Sequence, residues 1–193
     1  MMERDLNRFR AEAVRSFGDT GTAAVAQPEP EAALRCITRT CFDLLGDRQA
    51  ACRPGALKEG ERQFFVSGIF LVTPGADGHL LVAENGFPPA QHRLRIPIDM
   101  GHPGIVYRDR KPHLLGNTDD DFRFRQILKT ARMGSVVIAP MIWQGEFLGQ
   151  LLTAAQARNT LSEPDLEVII GFAQLAVSVY VAKGGSDFLA SLC

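Results

Sequence analysis

"SVVIAPMIWQGEFLGQLLTAA", residues 135–155, is two apolar runs joined by Gln144-Gly145. A two-residue link ending in glycine, set between two apolar runs, reads as a tight β-hairpin. Pro140 inside the first run cannot donate a ladder hydrogen bond, so that strand is expected to bulge or to lie at an edge there. Trp143, beside the turn, is expected at the surface or toward a partner.

Downstream, a helix opens at Ser162, with Asp165 three residues later as a capping box in which Asp replaces the usual Glu. It runs to about Lys183. One stripe is Leu166, Ile169, Ile170, Ala173, Val177 and Tyr180; a second is Val168, Phe172, Leu175 and Val179. The polar line between them, from Glu163 to Ser178, is thin. A helix this apolar needs cover on more than one side. One cover is a sheet and the other a helix, of its own chain or of a partner.

Upstream, "QFFVSGIFLVTP" (63–74) is nearly all apolar and reads as a central strand covered on both faces. "PGADG" turns, and "HLLVAEN" (79–85) returns as its hairpin partner. "RLRIPI" (93–98) alternates, with Leu94, Ile96 and Ile98 on one side. Pro103 suits the first turn of a short helix over 103–109. "KPHLLGN" is irregular or a short strand. "DDDFRFRQILKTARMG" (119–134) is expected to be a longer helix, with Phe124, Ile127, Leu128 and Ala131 on one face and Gly134 as its stop.

Toward the N-terminus, Leu34, Ile37, Cys41 and Leu44 mark a helix over about 31–45, with Gly46 as its end. Residues 3–17 form an amphipathic helix on Leu6, Phe9, Ala13 and Phe17. "GDTGTAAVAQPEPE" (18–31) is expected to break it as a linker. The expected division is therefore a helical arm and linker over 1–27, a main domain over 28–183 and a tail over 184–193. Hairpins dominate and helices alternate with them, so the class is α+β with a largely antiparallel sheet.

Three segments in order resemble the GAF domain family, over roughly residues 30–182. "RIPIDMGHPGIVYRDRKPHLL" (95–115) is similar to its Gly-x-x-Gly helix start with a proline a few residues on. The 135–155 hairpin is similar to its Val-Pro-Leu hairpin, and "LSEPDLEVIIGFAQLAVSVYVA" to its closing helix. The resemblance implies a five- or six-stranded antiparallel sheet. Its N- and C-terminal helices would pack on one face, and loops and a short helix would cover a small-molecule pocket on the other. It also implies a choice of roles, since family members bind cyclic nucleotides, bilins, haem or small metabolites, and many serve only for dimerisation or signalling.

The residues narrow that choice. The cysteines are Cys36, Cys41, Cys52 and Cys193. None lies between 52 and 193, so the pocket segments lack the nucleophile that bilin attachment or methionine sulfoxide reduction would use. The Asn-Lys-x-x-x-Phe-x-x-x-Asp-Glu pattern of cyclic-nucleotide relatives is missing. His79, His92, His102 and His113 show no metal-ligand spacing. The acids of "TDDDF" suit a helix start. "RDRKPH" reads as a solvated edge. No nucleophile-and-base pair can be named, so the chain is expected not to be an enzyme and to carry no cofactor and no metal.

Gly101-His102-Pro103-Gly104 remains. It is either a plain helix start with glycines for tight geometry, or an anion site built on free N–H groups at a helix N-terminus. In the second reading Arg95, Gly101, His102, Gly104, Tyr107 and Arg125 hold a small polar or anionic ligand. The expected function is a stand-alone sensory module that signals through its helices. The alternative is a dimerisation or partner-binding scaffold with a degenerate pocket. Under either, a homodimer is expected through Val168, Phe172, Leu175 and Val179.

A net charge of -1 argues against nucleic acid as a partner of the whole surface. The sequence has no run of ~18 uninterrupted apolar residues and no signal-peptide apolar region, so no membrane association is expected. Unpaired cysteines suit a reduced, cytoplasmic protein.

Overall fold

The computed structural model describes residues 5–127 and 131–193. The hairpin forms as the sequence asks. β5 (Ser135–Trp143) and β6 (Glu146–Ala155) pair antiparallel from Ser135 opposite Ala155 to Trp143 opposite Glu146. Gln144 and Gly145 both take positive φ, 50° and 85°, the type I′ turn whose twist matches the strands it joins. The register shifts between Met141 and Ile142, directly after Pro140.

β1 (Phe65–Val72) and β2 (Gly78–Asn85) form the second hairpin, and β1 also pairs with β6. Two short strands close the edges, β3 (Arg95–Pro97) on β2 and β4 (His113–Leu115) on β5. The sheet has six strands, all antiparallel neighbours, in the order β3-β2-β1-β6-β5-β4. The class is α+β, as expected.

Side chains alternate across a strand, so the sheet builds two cores. Ile69, Leu71, Val137, Ala139, Met141 and Leu151 point to one face, where they meet helices α2 (Pro30–Leu44) and α4 (Glu163–Ala182). Val66, Phe70, Val136, Ile138 and Leu152 point to the other, where α3 (Gly101–Asp109) and the loops lie. On length and composition alone α4 could cross a membrane. Its apolarity has another cause here: Ile169, Phe172, Ala173, Ala176, Val177, Val179 and Tyr180 are buried inside the domain.

α4 is fastened at its start. Asp165 is fully buried, and its carboxylate accepts the backbone N–H and the hydroxyl of Ser162 at 3.0 and 2.8 Å. Its other oxygen accepts the buried N–H of Gly46 at 2.9 Å. One side chain thus caps α4 and holds the end of α2 against it.

Three expectations are corrected. The first helix does not break at Gly18. α1 runs from Leu6 to Ala26 through the segment read as a linker. The cost of its glycines is about 1 kcal/mol each, and tertiary contacts offset it. Phe9 and Ala24 enter the helical core, Thr20 and Thr40 hydroxyls meet at 2.7 Å, and Phe17 stacks at 5.5 Å from Phe172. Residues 6–26 therefore pack as a layer of the domain rather than extending as an arm. Residues 184–193 are also helical: α5 (Gly185–Leu192) buries Leu189.

The helix expected over 119–134 is absent over 119–127. A single 3-10 turn spans Thr118–Asp120, and no helix follows up to Ile127. Asn117 and Asp121 turn their side chains onto nearby backbone instead, accepting from Asp119 N–H at 3.2 Å and Arg123 N–H at 2.9 Å. Such local bonds compete directly with helix formation. Leu128 lies outside the described residues.

Asp165→Ala removes the cap of α4 and leaves the Gly46 N–H buried without its partner. Loss of roughly 2–4 kcal/mol is expected, read as a lower urea midpoint at unchanged slope.

Candidate functional site

On the sheet face away from α2 and α4 there is a cavity. It holds about 460 Å³ of non-atom space, part of it open to solvent. Its floor is the sheet: Val66 and Phe70 of β1, Val136 and Ile138 of β5, and Leu152 and Ala154 of β6. Its walls are Phe87, His102 and Pro103. Phe124, Arg125, Ile127 and Met133 close it from above. The lining is carbon almost throughout, and the exceptions are His102 and Arg125.

The covering chain, residues 117–127 and 131–134, is tied down at several points. Gln91 donates to the Ile127 carbonyl at 3.2 Å. Arg132 holds Glu61 with two hydrogen bonds of 2.7 and 2.8 Å, which keep the Glu61 carboxyl down at about 2. Asp119 pairs with Arg158 and Lys58. The loops before β1, after β2 and after β6 therefore hold the cover in place.

His102 is the polar centre of the cavity, with 1% exposure. Its Nε2 lies 3.3 Å from Asp121 Oδ2. Its Nδ1 is buried and has no hydrogen-bond partner among the described residues. Burial pushes the imidazole below its ordinary value; the Asp121 carboxylate opposes this, while His113 and Arg123 reinforce it. Arg123 donates to both Asp121 oxygens at 3.0 and 2.7 Å, and holds that carboxyl far below the usual carboxylate range. The ring of His102 stands 5.8 Å from Phe124 and 6.0 Å from His113. His113 is lowered chiefly by burial, and so is His79, whose Nε2 meets the Ile98 carbonyl at 3.1 Å.

The residues that the sequence proposed for a ligand do not all converge. His102 and Arg125 line the cavity. Arg95 does not: it is exposed on β3 and spans Asp77 with two contacts of 2.7 Å. Tyr107 lies on another, wider cleft with Arg110, Tyr180 and Ser186, and packs edge-on against Phe147 and His79. Gly101 takes φ +50°, and a Cβ there would sit 3.0 Å from Arg125 Cβ. At Gly104 a Cβ would lie 2.3 Å from the Asp99 carbonyl carbon. That glycine lets α3 pack on the chain entering it, so it opens no path to a ligand.

The helix start is thus mainly structural, and the anion site expected on it is not assembled. The sequence does not single out Phe70, Phe87, Phe124, Val136, Ile138 and Leu152, which line the cavity. The strand alternation was their only signal, and it does not say which face stays incompletely filled. None of the four cysteines lines the cavity; Cys41 is fully buried in the helical core. Of the residues expected at a dimer interface, Phe172 and Val179 are buried within the chain, and Val168 and Leu175 are half-buried.

The GAF domain family matches residues 29–179. The chain belongs to the GAF family. Among solved structures it is similar to the GAF domain of a phosphoenolpyruvate-protein phosphotransferase from Acinetobacter, at 14% identity over 89% of this chain and 94% of that one, with a TM-score of 0.71. The corresponding GAF domain from Coxiella burnetii gives 20% identity, 90% and 96% coverage, and 0.70. Free methionine-R-sulfoxide reductase from Neisseria meningitidis, in complex with its substrate, gives 16% identity, 96% coverage of each chain, and 0.71. No curated protein matches. At these identities the likeness is one of fold. It corrects the expectation that the chain is not an enzyme: reductases share this GAF fold, so the fold does not carry that exclusion.

Because burial lowers His79, His102 and His113, the unfolded chain binds more protons than the folded one as pH falls through the ordinary histidine value of 6.5. Stability is then complete above 6.5 and is lost below it. The melting temperature is expected to fall between pH 7.5 and 5.5, and less steeply in His79→Gln. A flat profile across that interval contradicts neutral buried rings.

Proposed function

We propose that this GAF domain is a sensory module that binds a small molecule between the sheet and the covering residues Phe124, Arg125, Ile127 and Met133, and passes occupancy to its helices. The observation that carries this is the apolar cavity with a buried, half-satisfied histidine in its wall. Such concave, mostly apolar sites with a few polar groups are where small ligands bind. A route for the signal exists in the strands themselves. Val136 and Ile138 line the cavity, while Val137 and Ala139, which alternate with them, enter the helical core. A shift of β5 moves both. The unpaired cysteines suit a reducing compartment, and we place the protein in the cytoplasm.

Native mass spectrometry of freshly purified protein tests the reading. A retained small molecule is expected, and Ala154→Leu, which fills the cavity, should lose it. If neither the purified protein carries added mass nor any member of a metabolite panel raises its melting temperature, the sensory reading fails.

A second reading, a dimerisation scaffold, is favoured by a specific feature of α1. Leu6, Val14, Phe17 and Val25 are its exposed large apolar residues, at 43, 76, 40 and 69%. Positions 6, 14, 17 and 25 read the same in both directions. An antiparallel pairing of two copies therefore sets Leu6 against Val25 and Val14 against Phe17, the self-complementarity that a twofold interface needs. This moves the proposed homodimer from the second stripe of α4 to α1. Val14 is too exposed to matter for the monomer, so Val14→Glu is expected to give a folded monomer by light scattering where the wild type is a dimer. A dimer unchanged by Val14→Glu and by Phe17→Glu rules out this surface.

A further inference from the structure

The chemistry of the ligand follows from His102, given the sensory reading above. Asp121 is held ionised by Arg123 and can only accept, so the proton on Nε2 of His102 is donated to it at 3.3 Å. The ring is buried and the imidazolium is disfavoured there. The charged and titratable groups acting on it are Asp121, Arg123 and His113, and only Asp121 favours a second proton. Nδ1 is then the unprotonated nitrogen of a ring that lines the cavity. It is buried, and no described residue donates to it. A buried acceptor left open costs its full desolvation, and a ligand that donates to it removes that cost.

The rest of the cavity disfavours charge. Val66, Phe70, Phe87, Ile138 and Leu152 offer only carbon. Arg125 is exposed, and its guanidinium already donates to the carbonyls of Phe122 and Phe124 at 3.0 and 3.3 Å. An anion would thus be buried against a neutral acceptor and carbon, which is costly. Part of the space is open to solvent, so the enclosed share suits a compact molecule. We propose that the cavity takes a neutral, mainly apolar molecule of about one ring that carries a single O–H or N–H and donates it to Nδ1 of His102. This replaces the polar or anionic ligand expected from the sequence.

Titration calorimetry at pH 7.5 with phenol, toluene and benzoate tests it. Phenol should bind about tenfold tighter than toluene, since a site built to meet a polar group discriminates against the analogue that lacks it. Benzoate should be the weakest of the three. In His102→Phe the preference for phenol over toluene should fall to about twofold or less while toluene still binds. Equal binding of phenol and toluene to the wild type, or tightest binding of benzoate, overturns the proposal and leaves the sensory reading standing. If His102→Phe does not fold, the ¹⁵N shift of Nδ1 in the wild type replaces it: it should move on adding phenol and not on adding toluene, and no movement with phenol is equally fatal. If none of the three binds while native mass spectrometry finds a retained molecule, this ligand class is wrong. If none of the three binds, no retained molecule is found and no member of the metabolite panel raises the melting temperature, the sensory reading fails with it.

Discussion

The rest of the structure depends on the alternation of side chains along β1, β5 and β6. Each strand commits every second residue to the helical face and every other one to the opposite face. On the helical face α2 and α4 lay continuous apolar stripes against the sheet, and Phe70's neighbours Ile69 and Leu71 vanish into them. On the opposite face the cover is a nine-residue helix, two short 3-10 turns and irregular chain. Irregular chain cannot present a continuous apolar stripe, so that face is filled less completely, and the cavity is the remainder.

What keeps that cover in place is polar. Asn117 and Asp121 fold it locally, and Arg132 with Glu61 and Asp119 with Arg158 and Lys58 anchor it at its base. Half-exposed ion pairs of this sort are worth little singly; Arg132 with Glu61 is the exception in geometry, being two-pronged and largely buried. The same chemistry reaches the cavity through Asp121. By receiving Arg123 on the outside and His102 on the inside, it fixes which nitrogen of the histidine carries the proton. A surface pair thus sets the hydrogen-bonding character of a buried wall.

The histidine illustrates how far the sequence could be read. The sequence points to His102 for a ligand because it sits at a helix start beside glycines. The structure keeps the residue and changes the reason: Gly104 is closed by the Asp99 backbone, Arg95 turns to Asp77, and His102 lines an apolar cavity whose floor is the sheet. The misreading of 119–127 has a similar cause. Its acids and periodic apolar residues suit a helix, but Asn117 and Asp121 satisfy neighbouring backbone first, and Phe124 finds its contact at His102. In α1 the error runs the other way. Gly18 and Gly21 weaken a helix, and the contacts of Phe9, Phe17, Thr20 and Ala24 with the domain supply what they take away.

The sequence by itself determined the elements whose cause is local: the Gln144-Gly145 turn, the all-apolar run of β1, the Ser162–Asp165 cap and the stop at Gly46. Turn geometry, strand alternation and capping act over a few residues, so a few residues suffice to specify them. Tertiary structure alone decided that α1 joins the helical layer, that the second stripe of α4 is largely covered by the chain's own helices, and that the cavity is apolar with a buried, half-satisfied histidine in its wall. Those outcomes rest on which groups distant in sequence come to share a volume, and burial, not spacing, sets their packing and their charge.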